Sequence, residues 1–247
     1  MKLTLNLRAR RYGFDSRDYQ IWKEDTFTQT IEAPHTALLI CDVWDRHWSR
    51  GARERLDAMV PRMASVINAA RSRGINIIHS PSDTMDFYMD YAARKRLKEI
   101  PKMAVPDELL RDDPMLPIDD SDGGSDTPDS TQQRVWTCQH PGIFIDESRD
   151  VISDNGNEIY SYLCDKKIQK LLIMGVHTNM CVLHRSFGIK QMVKWGVDVV
   201  LVRDLTDTMY SPSKAPYVSH DEGTKLVVRF IEAFWCPSMT SSDLIKI

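Results

Sequence analysis

At 247 residues, with 42% hydrophobic and 27% charged side chains, the chain is long enough to bury a large core and has the balance of a soluble globular protein. A formal net charge of -3 supplies no field that would gather DNA, RNA or anionic lipid, so nucleic acid and membrane surfaces are excluded as partners. No stretch approaches the roughly 18 uninterrupted apolar residues of a membrane span, and Cys41, Cys138, Cys164, Cys181 and Cys236 form no close CxxC pair, which fits a reduced, cytoplasmic setting.

The opening MKLTLNLRARRYGF carries basic residues, but apolar and polar positions alternate in KLTLNL and no export signal is read. Residues 1–34 as a whole are polar and aromatic without a clear period. They are expected to form an N-terminal arm over the domain or over a partner subunit, leaving residues 35–247 as one domain.

Residues 36–42 (TALLICD) form an apolar run that ends in an acid, and Leu56, Met59, Val60, Met63, Val66, Ile67 and Ala70 follow at helical spacing within 52–73. A buried strand and an amphipathic helix are expected there, closed by Gly74 as C-cap, with INIIHS at 75–80 as a second buried strand. Residues 101–133 hold many prolines and the run DDSDGGSDTPDS, which reads as a long acidic loop insertion. Asp119, Asp120, Asp122 and Asp126 lack the closing Glu of an EF-hand, so a solvated loop is favoured over a calcium site, with a role as a lid left open. Farther on, RVWTC at 134–138 is expected as a strand, 155–166 as a helix, LLIMGV at 171–176 as a strand, 179–195 as a helix, VDVVLV at 197–202 as a strand and 221–234 as a helix.

Strands alternating with helices of this length imply an α/β fold, an open, mostly parallel sheet with helices on both faces, in three layers. Ligands of such sheets bind beyond the C-terminal strand ends, which directs attention to Asp42, Ser80 to Asp86, Gln139 with His140, His177 to Cys181, and Asp204. Cys181 falls in the first turn of a helix, where unpaired amides and the positive helix end favour a thiolate. The competing reading is a small buried hydrophobe. Asp42 closes an apolar run, where an unpartnered carboxylate would be costly, although a cap or turn role is also open.

TALLICD followed by a helix, and GVHTNMCV opening a later one, resemble the isochorismatase-like cysteine hydrolases, a group that includes nicotinamidases and N-carbamoylsarcosine amidases. The resemblance covers roughly residues 36 to 235 and implies the Rossmann-like, isochorismatase-like fold and an Asp, Lys, Cys triad. In it Asp42 takes the thiol proton, Cys181 attacks an amide carbonyl, and water releases the acyl-enzyme. It further implies a cis peptide at Val176–His177 and an oxyanion hole built from the amides of His177 and Cys181. The triad lysine is absent: its position aligns with Gln139, which brings no positive charge, and His140 and Arg134 are the neighbouring candidates for one, Arg134 at the far end of its strand. The group's metal-binding members carry Asp and His after the second strand, whereas this chain has HSPSDTMDFY there. Asp83 and Asp86 are read as solvated, no metal or cofactor is expected, and a homo-oligomer is implied.

Trp44, His47, Trp48 and His140 are expected to line a site for a small planar or cyclic substrate, the alternative for the tryptophans being packing beneath the N-terminal arm. Asp204 and Asp207 are expected to cap or orient a loop. Three readings stand at this level: a hydrolase of a small amide, a non-catalytic binding or assembly subunit, and a redox-sensing thiol.

Overall fold

The structure, a computed structural model, describes residues 1–128 and 131–245. The chain opens with two long strands, β1 (Lys2–Phe14) and β2 (Gln20–Glu32), paired antiparallel from Lys2 opposite Glu32 to Phe14 opposite Gln20. The alternation in KLTLNL is therefore that of a half-buried strand, with Leu3, Leu5 and Leu7 inward. Asp15 closes the turn by accepting the amides of Arg17 and Tyr19 at 2.8 and 3.0 Å. The aperiodic arm expected over residues 1–34 is thus a hairpin, joined to the main sheet where Arg8 pairs with Ser238.

The remaining elements are β3 (Thr36–Cys41), α1 (Arg50–Ser72), β4 (Asn76–Ser80), α2 (Ala92–Lys98), β5 (Val151–Ile152), α3 (Gly156–Asp165), β6 (Lys170–Val176), α4 (Cys181–His184), α5 (Ile189–Lys194), β7 (Val199–Asp207), α6 (His220–Phe234), β8 (Ser238–Met239) and α7 (Ser242–Ile245). The eight strands form one sheet in the order β2-β1-β8-β7-β6-β3-β4-β5, parallel from β8 to β5 and antiparallel within the hairpin and where it joins β8.

Both faces of β3 are buried, which is why its sequence is apolar throughout rather than alternating. Leu38 and Ile40 join Leu56, Val60, Met63 and Ile67 of α1 and Leu244 of α7. Ala37, Leu39 and Cys41 pack on the opposite side with residues of α2 to α6, including Leu97, Ile159, Val182, Ile189 and Val227. This is the three-layer α/β arrangement. Among the described residues no helix is long and apolar enough to cross a membrane.

Two expected elements differ. Residues 134–138 are not a strand: β4 takes β5 as its outer neighbour, and the segment runs across the strand ends, held by Asp45 accepting the Thr137 amide at 2.9 Å and by a single bridge between Trp44 and Gln139. The helix expected over 179–195 is broken between α4 and α5. Arg185 leaves the helix with ψ 157°, and the turn packs so closely that a Cβ on Gly156 would meet the Ser186 carbonyl oxygen at 2.0 Å. That break frees the Arg185 side chain from the helix surface.

Candidate active site

Because β3, β4, β6 and β7 run parallel, their C-terminal ends converge on one rim, the side on which ligands of such sheets bind. Close approach of β6 to β3 is possible because Gly175 has φ +125° and no side chain; a Cβ would fall 2.0 Å from the Cys41 carbonyl oxygen. One residue beyond β3, Asp42 adopts a left-handed backbone with φ +49° and is fully buried. Oδ1 accepts the Ser82 amide at 2.7 Å, and Oδ2 accepts Arg185 Nε at 3.0 Å. Burial raises the Asp42 carboxyl above its ordinary range, opposed first by Arg185 and then by hydrogen bonding with the Cys181 thiol.

Beyond β6 the Val176–His177 peptide is cis, and the chain turns through Thr178 to Met180 before α4 opens at Cys181. Cys181 is partly exposed and lies against Asp42, and the His177 amide is within hydrogen-bonding reach of its sulfur. Desolvation, followed by the Asp42 charge, raises the thiol well above the ordinary cysteine range, while Arg185 and the His177 amide lower it. The Cys181 thiol thus holds its proton and lies beside the Asp42 carboxyl.

Arg185 is the residue that sequence reasoning missed. It stands four positions after Cys181 and bridges Asp42 at 3.0 Å and Asp83 at 3.2 Å, and against the effect of burial the two carboxylates hold its guanidinium charged. The i, i+4 spacing on the segment after the cysteine was the available signal. Of the two cations considered from sequence, Arg134 reaches the rim after all, donating to the Asp83 carbonyl, because its segment is not a strand. His140 is turned away: its ring meets Asp57 at 3.2 Å and accepts the Gly142 amide at 3.0 Å.

Gln139 is also turned away. Its Oε1 accepts from His79 Nδ1 at 2.9 Å, and its Nε2 donates to the Ile143 carbonyl at 3.2 Å, while the acceptors of Asp42 are taken by Ser82 and Arg185. The side chain aligned with the triad lysine ties β4 to the 139–143 turn. Gln139→Ala is expected to cost about 1 to 3 kcal/mol of stability by leaving buried partners unpaired, and to change kcat by less than about tenfold, less than the 1.4 kcal/mol that a lost transition-state contact would exceed. Thermal melting and steady-state kinetics on the variant check both halves.

The tryptophans form a wall. Trp44 is buried, donates Nε1 to the Ser82 carbonyl at 3.0 Å and stacks on Trp136 at 4.2 Å between ring centroids. His47 lies parallel to Trp136 at 6.1 Å and meets His177 edge to face at 4.7 Å, and Trp48 adjoins His47 at 5.3 Å. Trp136 was not singled out from sequence, since it was assigned to a strand interior. Burial lowers His47 to about 4 and His177 to about 3, so both rings are neutral near pH 7. The Ser49 amide donates to His47 Nδ1, which leaves the hydrogen on Nε2.

Asp204 accepts the amide and hydroxyl of Ser241, and Asp207 gathers Arg55 and His220 at 2.9 Å each. Asp83 faces Arg185, a cation, and Asp86 is exposed. Among the described residues no group of three or more His, Cys, Asp or Glu side chains is placed to hold a metal ion.

Residues 36–216 match the family model described as Isochorismatase domain. Among solved structures, the chain is similar to a cysteine hydrolase from Pseudomonas syringae pv. phaseolicola 1448A, with 17% identity over 87% of this chain and 93% of that one and a TM-score of 0.54. It is similar as well to an isochorismatase from Pseudomonas putida KT2440, with 16% identity over 87% and 92% of the two chains and a TM-score of 0.53. At these identities the likeness speaks to the fold. Comparison with curated proteins gives no match.

Proposed function

Because the chain belongs to the isochorismatase family, we propose that it is a cysteine-dependent hydrolase that cleaves the C–N bond of a small amide through a thioester on Cys181. The observation that carries the reading is the contact of three groups at the strand ends: the Cys181 thiol, the Asp42 carboxylate and the Arg185 guanidinium.

Asp42 takes the thiol proton as Sγ attacks the amide carbon, so the thiolate need not exist free in a site that disfavours it. The carbonyl electrons move to oxygen, which the amides of His177 and Cys181 receive; α4 begins at Cys181, and its first amides have no helical acceptor. Collapse of the intermediate breaks the C–N bond, and Asp42 returns its proton to the departing nitrogen. Water then attacks the thioester carbon as Asp42 takes its proton, the C–S bond breaks to release the acid, and Asp42 passes the proton to sulfur, restoring the thiol. Arg185 favours the ionised form of Asp42 that must stand ready before each proton is taken, the duty that the missing lysine would otherwise discharge. The neutral wall of Trp44, Trp136, His47 and Trp48 suits a small planar or cyclic acyl group.

A non-catalytic binding role draws its support from the missing lysine, and the placement of Arg185 against Asp42 favours the hydrolase over it. The test is ammonia release from a panel of small carboxamides by wild type and by Cys181→Ala. Release by wild type alone is expected; equal release by both, or none from a folded wild type across the panel, would contradict the proposal.

A further inference from the structure

The acidic segment 119–126 is not solvated along its length. Asp120 Oδ2 accepts Asn179 Nδ2 at 2.7 Å, two residues before Cys181. A Cβ on Gly123 would lie 3.4 Å from the Trp48 ring, and one on Gly124 would collide with the Met209 carbonyl at 2.3 Å. Ser125 Oγ meets Ser49 Oγ at 2.9 Å, and Asp126 holds Arg55 through both oxygens at 2.7 and 3.2 Å. The segment therefore crosses the rim from Asn179 to the start of α1, past the aromatic wall.

Its far end is fastened by an ion cluster drawn from four elements. Arg55 of α1 binds Asp126 and also Asp207 Oδ2, at 2.9 Å. His220, at the start of α6, places Nε2 2.9 Å from Asp207 Oδ1 and Nδ1 2.9 Å from the Tyr210 carbonyl, with Asp126 at 3.6 Å. A backbone carbonyl and a carboxylate are both acceptors, so each ring nitrogen of His220 carries a hydrogen and the ring is an imidazolium. The cluster then balances two cations against two carboxylates. Asp207 ties it to the reaction centre, since its carbonyl accepts the Thr178 amide at 2.8 Å, next to His177.

We propose that residues 119–126 are a strap closing one side of the active site, and that protonated His220 is the positioning residue that latches it through Asp207, Arg55 and Asp126. The groups facing His220 are Asp207 from β7, Asp126 from the strap, Arg55 from α1 and the neutral His177 after β6, with Asp221 and Glu222 on its own helix. Asp207, hydrogen-bonded to the ring, raises the affinity of His220 for its proton against the effect of burial. A group raised in the folded state contributes fully below its unfolded value of about 6.5, and the contribution is lost as pH rises through the folded value. The latch is thus closed in mild acid and releases as pH rises through the raised folded value of His220.

Hydrogen exchange tests this on the whole protein, read at the Gly123 and Gly124 amides, which are bonded to the Asp120 carbonyl and to Asp122 Oδ1. After correction for chemical exchange, their protection in wild type is expected to fall about ten- to hundredfold between pH 6 and pH 9, the loss of a hydrogen bond to a charged group, while protection in β6 holds. In His220→Asn the strap is expected to be weakly protected at every pH and to show no step. Protection that is flat with pH in wild type, or the same step in His220→Asn, would overturn the latch; should the variant not fold, the wild-type profile alone decides. The strap's role in catalysis rests on Cys181 being the nucleophile, but the exchange measurement does not. A pH step without amide hydrolysis would sink the hydrolase reading and leave the latch, and hydrolysis with a flat profile would do the reverse.

Discussion

Asp42→Asn is expected to lower kcat/KM by about a thousandfold or more while leaving the fold in place, the loss associated with removing a positioned general base. Asn is isosteric, and its Oδ1 can still accept the Ser82 amide that Asp42 accepts at 2.7 Å. The other atom becomes an NH2 group facing Arg185 Nε, two donors where a charged pair stood. The thiol, already raised by burial, then has no neighbouring carboxylate to take its proton at the moment of attack. Cys181 should keep its position, so circular dichroism and melting will resemble wild type more closely than activity does. A drop of less than about tenfold in kcat/KM would mean that Asp42 is not the base.

Replacing Arg185 with Gln is expected to reduce kcat/KM at neutral pH by about a hundredfold and to move the acid limb of the pH–rate profile to higher pH. The sign follows from what surrounds Asp42. Burial raises its carboxyl, and Arg185 is the largest influence opposing that rise. Without the guanidinium the carboxyl holds its proton to higher pH, so the fraction able to act as base at neutrality falls. Arg185→Lys retains a cation and should recover part of the loss, with the acid limb moving back toward wild type. A pH profile unchanged in Arg185→Gln would show that Arg185 serves only to hold Asp83 and the loop after β4.

The central α/β layers were legible in the sequence because β3, β4 and β6 are short apolar runs between amphipathic helices, a pattern that burial on both faces demands. The hairpin was not, since β2 is exposed along most of its length and shows no clean alternation. Residues 134–138 carry the apolar and β-branched character of a strand, yet β5 takes the sheet edge, a competition that local pattern does not reveal.

The placement of Asp42, His177 and Cys181 just beyond strand ends was readable from the apolar runs and from the motif that carries the resemblance. Arg185 lies three residues beyond that motif, and its role depends on the helix breaking between α4 and α5, which packing of the Ser186 backbone against Gly156 sets. Counting from the cysteine finds the residue; only the fold brings it to Asp42. Gln139 shows the converse, since alignment put it at the lysine position and the tertiary structure gave its side chain to His79. The acidic loop likewise looked solvated, because its partners Arg55, Asn179 and Ser49 are 71, 59 and 76 positions away.

The most direct measurement is intact-protein mass spectrometry of wild type and Cys181→Ala, quenched in acid during turnover of an amide that wild type hydrolyses. The account predicts a mass increase equal to the acyl group in wild type, mapped to Cys181, removable by hydroxylamine and absent from Cys181→Ala. Turnover in Cys181→Ala at the wild-type rate, or an adduct mapped to any other residue, would contradict it.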